Sequence, residues 1–492
     1  MKVTTKFYLL FIVAFTSLLL IAPTLGFASP KDKTEKKIAE EVVDEELLAS
    51  KNTPDTSSNT ENKVLINDKN LKSALEYVYA NHPQIKAQRE ALKVADEGVS
   101  QAVSGFRPDI SANFSKGRAR VESGGQGRNY SNTKSKNFTV TQPLFNGGGT
   151  IAGFKASKER MKAARANLSA TEQQILYNAV IAYTDVVEKQ SVLDLSQKNV
   201  VVLQKQMDVT NARFKVGELT KTDISQAAAR LARAEADARQ SLGDLGAARA
   251  TFRRVIGYDA EDKITMPSVP SGTPQSISEA KEWARINNPI LEAARHNEKA
   301  ANSNIYTAGA KLLPNVNLQG VMSTTEGGNI SAFNSFDSDS IKLNVSIPLY
   351  QSGAEWSRLR EARNLAQQAK FDSLDTNEAV IETVSLAWEA FDTSKAIIIS
   401  NQSAVDAAET ALDGVRKENE YGVRTILDVL NAEQESFSAR VNLVKAIRTE
   451  KIQAYRLLAA VGKLTSDDLE LQTEVKDSKE HYDSVKYQLL GL

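Results

Sequence analysis

The chain has 492 residues, 61 basic and 61 acidic side chains, and no cysteine. The charge balance excludes the strongly basic surface of a nucleic-acid binder. The missing thiol excludes disulfides, thiolate metal sites and a lipid-modified cysteine anchor. Residues 1–28 read as a secretory signal peptide: Lys2 and Lys6 precede an apolar run at residues 7–21, and Gly26-Phe27-Ala28 offers small residues for cleavage after Ala28. That run falls short of the roughly 20 residues of a spanning helix, and no later stretch is long and apolar enough to span as one. Residues 29–69 are rich in Lys, Glu, Asp, Ser and Thr. They carry too little apolar surface to offset chain entropy and are expected to be disordered.

From residue 70 the pattern turns helical and runs to about Ser104, with Asn81-His82-Pro83 marking a kink. Phe106-Arg107-Pro108 ends that helix. Residues 109–122 and 136–145 then alternate as strands around the loop Gly124-Gly125-Gln126-Gly127. Residues 154–216 contain neither proline nor glycine and predict one helix about 95 Å long, far more than a globular core can use. Gly217 can end it, because glycine accepts the left-handed conformation that stops helices. An alanine-rich helix over residues 223–256 follows and stops at Gly257.

The whole arrangement recurs after the linker at residues 258–274. Pro289 and Pro314 answer Pro83 and Pro108 at an offset of 206, and Pro348 and Gly462 answer Pro143 and Gly257 at 205. The turn glycines Gly217 and Gly422 share the offset of 205, as do Asp223 and Asp428. Residues 70–257 and 275–462 are therefore two copies of one unit, followed by a tail at residues 463–492. In the second copy the long helix spans residues 354–421, with Gly414 inside it. Thr425 can cap the helix beyond, with Asp428 in its first turn beside the positive end of the dipole. Each unit pairs one long helix with two short ones stacked end to end along it, giving antiparallel helices with strand hairpins at one end and turns at the other.

The strands bear on solvent. Ile341, Leu343, Val345 and Ile347 alternate with Lys342, Asn344 and Ser346; Val316, Leu318 and Met322 alternate with Asn315, Asn317 and Gln319. In the first copy the matching apolar residues are Ile110, Ala112, Phe114, Phe138 and Val140. Alternation alone fits either a sandwich with one buried face or a membrane barrel. Strands of about ten residues at the tip of a long helical rod favour the barrel. Four strands cannot close alone, and open edges are forbidden in lipid, so the barrel must be shared between chains. Two copies would leave an interior filled by side chains, whereas three leave room for a channel.

Several motifs together carry a family resemblance. These are Asn211-Ala212-Arg213-Phe214-Lys215-Val216-Gly217 with Thr222-Asp223, and Gly422-Val423-Arg424-Thr425-Ile426 with Asp428-Val429-Leu430. Pro143-Leu144-Phe145-Asn146-Gly147-Gly148 and Pro348-Leu349-Tyr350-Gln351-Ser352-Gly353 form the strand-to-helix junctions. The chain resembles the TolC family of outer-membrane export channels over nearly all of its mature length. The resemblance implies a mainly α protein with a membrane β-barrel portion. Three chains would build a twelve-stranded barrel and a long antiparallel α-helical tunnel through the periplasm. It implies an outer-membrane location in a Gram-negative bacterium. The implied partners are a periplasmic adaptor protein, meeting Val216, Gly217, Glu218, Leu219, Tyr421, Gly422 and Val423, and an inner-membrane transporter. Arg424 would bond Thr222 and Asp223 to lock the aperture, and Asp428, with Asn431 one turn on, would line its narrowest ring. Pro108, Pro143, Pro314 and Pro348 would mark the junctions. Two positions depart from the family: a tyrosine of the lock falls at Asn419, and a second constriction aspartate falls at Asn431.

An enzyme is not expected. The histidines His82, His296 and His481 are scattered, and no metal-ligand spacing or cofactor motif occurs. Gly148 to Lys155 imitates a phosphate loop, but Phe154 breaks its required order. The competing reading is a soluble periplasmic coiled-coil tether or adaptor, which would explain the helices but not the duplicated strands. The cargo, whether protein, drug or metal, is not legible in the residues.

Overall fold

The computed structural model describes residues 71–123, 126–261, 264–327, 335–472, 480–486 and 488. The signal peptide, the segment over 29–69, the tip Gly124-Gly125 and much of the tail lie outside them. In the first copy α1 (Leu71–Asn81) and α2 (Pro83–Ser104) precede β1 (Asp109–Ser123) and β2 (Gln126–Asn146). They are followed by α3 (Gly149–Lys215) and α4 (Lys221–Ile256). The second copy repeats the order: α5 (Ile277–Asn287), α6 (Pro289–Ala310), β3 (Asn315–Gly327), β4 (Ser335–Ser346), α7 (Ala354–Glu420) and α8 (Ile426–Ala460). A short α9 (Glu480–Val485) lies in the tail.

The helix breaks follow local chemistry. His82 and Asn288 cap α2 and α6 through their side chains, each followed by a proline at the first helical position. Both long helices have 67 residues, about 100 Å at the helical rise. The first starts earlier than expected, at Gly149. Gly148 takes the left-handed conformation before it, and the Asn146 side chain accepts from the Thr150 N–H at 3.2 Å. The stretch that imitates a phosphate loop is thus a strand-to-helix junction. Gly414 lies inside α7 without breaking it.

Each long helix carries its two short partners end to end. Midway along α3, Leu176, Val180 and Tyr183 meet Leu75 and Val78 of α1 and Phe252 of α4 in one cluster. The Tyr183 and Phe252 rings are 6.3 Å apart. The corresponding cluster on α7 joins Val384, Ala387 and Phe391 to Ala280 and Ala284 of α5, Leu291 of α6 and Leu457 of α8. Near the turns, Leu203, Ala227, Ala234 and Leu430 tie α3, α4 and α8 together. Alanine recurs at these contacts because its small side chain lets helix axes approach. Where α8 ends, the second copy closes on its own α5–α6 break, and Gln173 of α3 reaches it from the first copy. Gly462 has φ +81°, and a Cβ there would lie 2.3 Å from the Asn287 carbonyl oxygen. Asn288 Nδ2 donates to the Ala460 carbonyl at 2.9 Å, and Gln173 Nε2 to that of Gly462 at 3.1 Å.

The strands form one antiparallel sheet in the order β1-β2-β3-β4. It is larger than its apolar stretches suggest: β2 begins at Gln126 rather than Lys136, and β4 at Ser335 rather than Ile341. The added lengths are polar, and they join because ladder hydrogen bonds use the backbone alone.

Candidate functional site

Two places carry the features expected of a channel: the paired helix turns and the sheet. At the first turn Gly217 has φ +83°, its N–H donates to the Phe214 carbonyl at 2.9 Å, and the Glu218 N–H donates to Arg213 at 3.0 Å. At the second, Gly422 has φ +75°, with Gly422 N–H to Asn419 at 3.0 Å and Val423 N–H to Glu418 at 2.9 Å. Both are Schellman reversals, in which a left-handed residue lets the chain satisfy the last helical carbonyls.

The outgoing helices begin alike. Thr220 caps α4, and its N–H and hydroxyl donate to Asp223 Oδ2 at 2.8 and 2.7 Å. Thr425 caps α8 and donates in the same way to Asp428 Oδ2, at 3.0 and 2.8 Å. The Thr220 N–H, then its hydroxyl, hold the Asp223 carboxyl below its ordinary range. The Thr425 hydroxyl, then its N–H, do the same for Asp428, helped by the charge of Arg424. Thr425 caps the helix and Asp428 lies in its first turn, as the sequence predicts. Thr220 was not singled out there, although the offset of 205 applied to Thr425 points to it.

The residues expected to lock the aperture are arranged differently in the single chain. Arg424 Nε donates to Glu418 Oε2 at 2.8 Å, and among the described residues no bond from Arg424 to Thr222 or Asp223 is formed. Glu418 lies just across the reversal from Arg424, and the Asp223 carboxylate is already engaged by Thr220. Asn419, where the family's tyrosine would fall, links the turns instead. Its Nδ2 donates to the Arg424 carbonyl at 2.8 Å, and its Oδ1 accepts from Arg213 Nη1 at 3.4 Å. Asn431 accepts from Arg230 Nη2 at 2.9 Å, joining α8 to α4. Arg416 grips the buried Glu433 below the second turn. These polar links were not legible as pairs, because their partners lie about 200 positions apart or across a reversal.

Apolar side chains project from both turns into solvent: Val216 is 72% exposed, Tyr421 85% and Val423 74%. Gly217, Glu218 and Gly422 are exposed beside them, and Leu219 is partly covered.

In the sheet, register places the apolar residues on one face. Ile110 lies opposite Val140, Val140 opposite Gly320, and Gly320 opposite Ile341. A second row runs through Ala112, Phe138 and Met322, and Leu318 faces Leu343 as Val316 faces Val345. Directly opposed residues point to the same side of a sheet, so Asn137, Thr139, Gln319, Lys342 and Asn344 share the other, polar face. Ile110, Phe114, Ile341, Leu343 and Val345 are exposed. Pro143 lies at a register shift in β2, whereas Pro348 falls after the end of β4; Pro108 and Pro314 stand just before β1 and β3. No described helix is long and apolar enough to cross a membrane, and no described cluster of side chains could hold a metal ion.

Comparison with known proteins joins these features. Residues 74–258 and 282–463 match the family described as outer membrane efflux protein. The outer membrane efflux protein BepC of Brucella suis biovar 1 is 32% identical over 86% of this chain and 91% of its own length. The alkaline protease secretion protein AprF of Pseudomonas aeruginosa is 27% identical over 68% and 70%. The Campylobacter jejuni CmeC outer membrane channel superposes with a TM-score of 0.73 at 15% identity, over 86% of this chain and 90% of its own. Together with the duplicated helices, the matched turns and the apolar sheet face, these likenesses leave no place for a soluble tether. The chain belongs to the outer membrane efflux protein family: it is a TolC-type export channel of the Gram-negative outer membrane, reaching into the periplasm.

Proposed function

We propose that three mature chains, each cleaved after Ala28, form one continuous conduit. Its sheets would close a shared twelve-stranded barrel in the outer membrane, and its helices would line a periplasmic tunnel narrowed at the turns. The observation that carries this reading is the single sheet with an exposed apolar face and two open edges. Such edges cannot remain open in lipid. Three copies satisfy both the edges and the need for an interior wide enough to conduct.

The exposed apolar residues Val216, Tyr421 and Val423 are proposed to receive a periplasmic adaptor, which couples the tunnel to an inner-membrane transporter. That transporter would supply both cargo and energy. Asp428, repeated in three copies, would form a ring that attracts cations and repels anions. Asn431, one turn further, would add polarity without charge. Arg424 would hold the resting aperture by moving between two carboxylates, Glu418 of its own turn and Asp223 of the first, with Thr222 beside it. BepC is named for efflux and AprF for protease secretion; either class of cargo suits a conduit whose selectivity lies in its partners.

Assembly and facing are tested together. Purified protein in mild detergent should have the mass of three chains. Val345→Arg places a charge on the apolar face and should cost about 2–4 kcal/mol near the membrane midplane. Lys342→Arg, on the polar face, should leave membrane assembly unchanged. Equal loss with both variants would sink the assignment of faces. Crosslinking in cells followed by affinity isolation should recover an inner-membrane transporter attached through the turns.

A further inference from the structure

The outward face of the sheet is not uniform. Beyond the apolar rows, towards the loop ends, β1 carries Lys116 and Arg118 on the same side as Ile110 and Phe114. On the opposite edge, β4 carries Asp337 and Asp339 on the same side as Ile341 and Leu343. The two edges of one sheet therefore bear opposite charge at the same height above their apolar stretches. Arg118 and Asp337 are exposed. The Arg118 guanidinium lies 4.4 Å from the Tyr130 ring centroid on the neighbouring β2.

We propose that the seam between neighbouring copies is set by these charges: Arg118 of β1 sits opposite Asp337 or Asp339 on β4 of the next copy. This rests on the three-copy reading above and adds a register to it. Side-chain parity allows only even staggers, because an odd one would place the apolar row of one copy beside the polar row of the next. The chain's own rows bring Ile110 level with Ile341. A downward stagger would run off the start of β1 at Asp109. No stagger would place Phe114 opposite Asp337, and a stagger of two would place it opposite Asp339. A stagger of four pairs Ile110, Ala112 and Phe114 with Val345, Leu343 and Ile341, then Lys116 with Asp339 and Arg118 with Asp337. A stagger of six pairs Ala112 with Val345, Phe114 with Leu343 and Arg118 with Asp339, but it sets Lys116 opposite Ile341 and carries Ile110 past the end of β4.

Barrel geometry selects the same two values independently. Four residues per seam is one residue per strand around twelve strands. With a rise of about 3.3 Å and a strand spacing of about 4.8 Å this is a tilt of about 35°. Six residues per seam gives about 46°, so the two bracket the usual range of roughly 35–45°, whereas a stagger of two gives only about 19°. Opposite charges directly across a strand pair favour pairing, and like charges oppose it. The charges thus reinforce the closure that the tilt demands.

The chain lacks cysteine, so engineered pairs report without background. Arg118→Cys would be combined in turn with Ser335→Cys, Asp337→Cys, Asp339→Cys and Ile341→Cys in the full-length protein. Oxidation in isolated outer membranes should yield disulfide-linked rings at Asp337 or Asp339, about tenfold above Ser335 and Ile341, since disulfides tolerate little separation. A charge reversal reads the same seam without cysteine. Arg118→Asp should lose the heat-resistant three-chain species, and adding the matching Asp337→Arg or Asp339→Arg should restore it. Crosslinking strongest at Ser335 or Ile341 overturns the register while a three-chain mass leaves the assembly standing. Full assembly with Arg118→Asp alone would assign the basic row to lipid headgroups and also overturn the proposal. Failure of the unmodified protein to show a three-chain mass would instead bring down the assembly itself.

Discussion

The two helix turns share one backbone and differ in what the backbone carries. Each reverses through a left-handed glycine with the same two hydrogen bonds, and each starts its outgoing helix with a Thr-Asp capping box. Leu219 stands in the first turn where Arg424 stands in the second. Arg424 reaches Glu418, whereas Leu219 has no charge to offer. Asn419 then ties the second turn to Arg213 of the first. Duplication preserved the reversal, which any such hairpin needs, and left the side chains around it to diverge. In the proposed gate the second turn would supply the cationic side chain and the first the carboxylate it meets.

Three experiments break or sharpen that contrast. The largest effect is expected from the shared backbone. Gly217→Val and Gly422→Val each force a β-branched residue into a left-handed conformation, at a cost of about 1–2 kcal/mol. An added Cβ meets nothing at either position, so strain is the whole penalty and the two losses in thermal stability should match. Unequal losses would mean the turns are not equivalent.

The second experiment separates the turns. Arg424→Ser should raise single-channel conductance in a planar bilayer severalfold, and Leu219→Ser should not. Asp223→Ala should resemble Arg424→Ser, and combining the two should add little if they share one contact. Asp428→Asn should leave conductance near its original value while weakening cation selectivity. A large conductance rise from Asp428→Asn with none from Arg424→Ser would place the lock elsewhere, with the Asn419 link the next residue to remove.

The smallest effect returns to what is common. Asp223 and Asp428 both have carboxyls held below their ordinary range by their capping threonines. A depressed folded-state value stabilises above the unfolded one, about 3.9, and is lost as pH falls through the lowered value. Amide exchange in the two turns should therefore be insensitive to capping from neutrality down to about pH 4, then rise in both together. Loss at mildly acidic pH in one turn alone would assign that turn a different titrating group.

Much of this was legible because repetition supplied a second reading of every landmark. The pairs Gly217/Gly422 and Pro83/Pro289 mark the reversals and breaks that the structure contains. The long helices were legible from the rarity of breakers, although that same criterion misplaced the start of α3, which includes Gly149 and Gly153. Strand ends were lost for a related reason. Apolar alternation marks only the part of β2 and β4 that carries the apolar face, and polar residues continue the ladder unseen. The partner of Arg424 was the hardest to read. The contact of Arg424 with Glu418 within one chain spans the reversal rather than the repeat, and that is a matter of ångströms rather than of spacing.

The unbroken length of α3 and α7 has a mechanical meaning. A helix of 67 residues without a proline is a lever arm, pivoting where the short helices meet against its middle. Half its length, about 50 Å, lies between that fulcrum and the turn. A swing of about 5° would carry the turn roughly 4 Å sideways while leaving every backbone hydrogen bond of the helix in place. Summed around a ring of copies, such a displacement widens a narrow mouth by several ångströms without melting any structure. Such a swing would have to yield at the contacts between fulcrum and tip, the apolar cluster of Leu203, Ala227, Ala234 and Leu430 and the polar links of Asn419 and Asn431, where a pressing partner would have the full leverage of the arm.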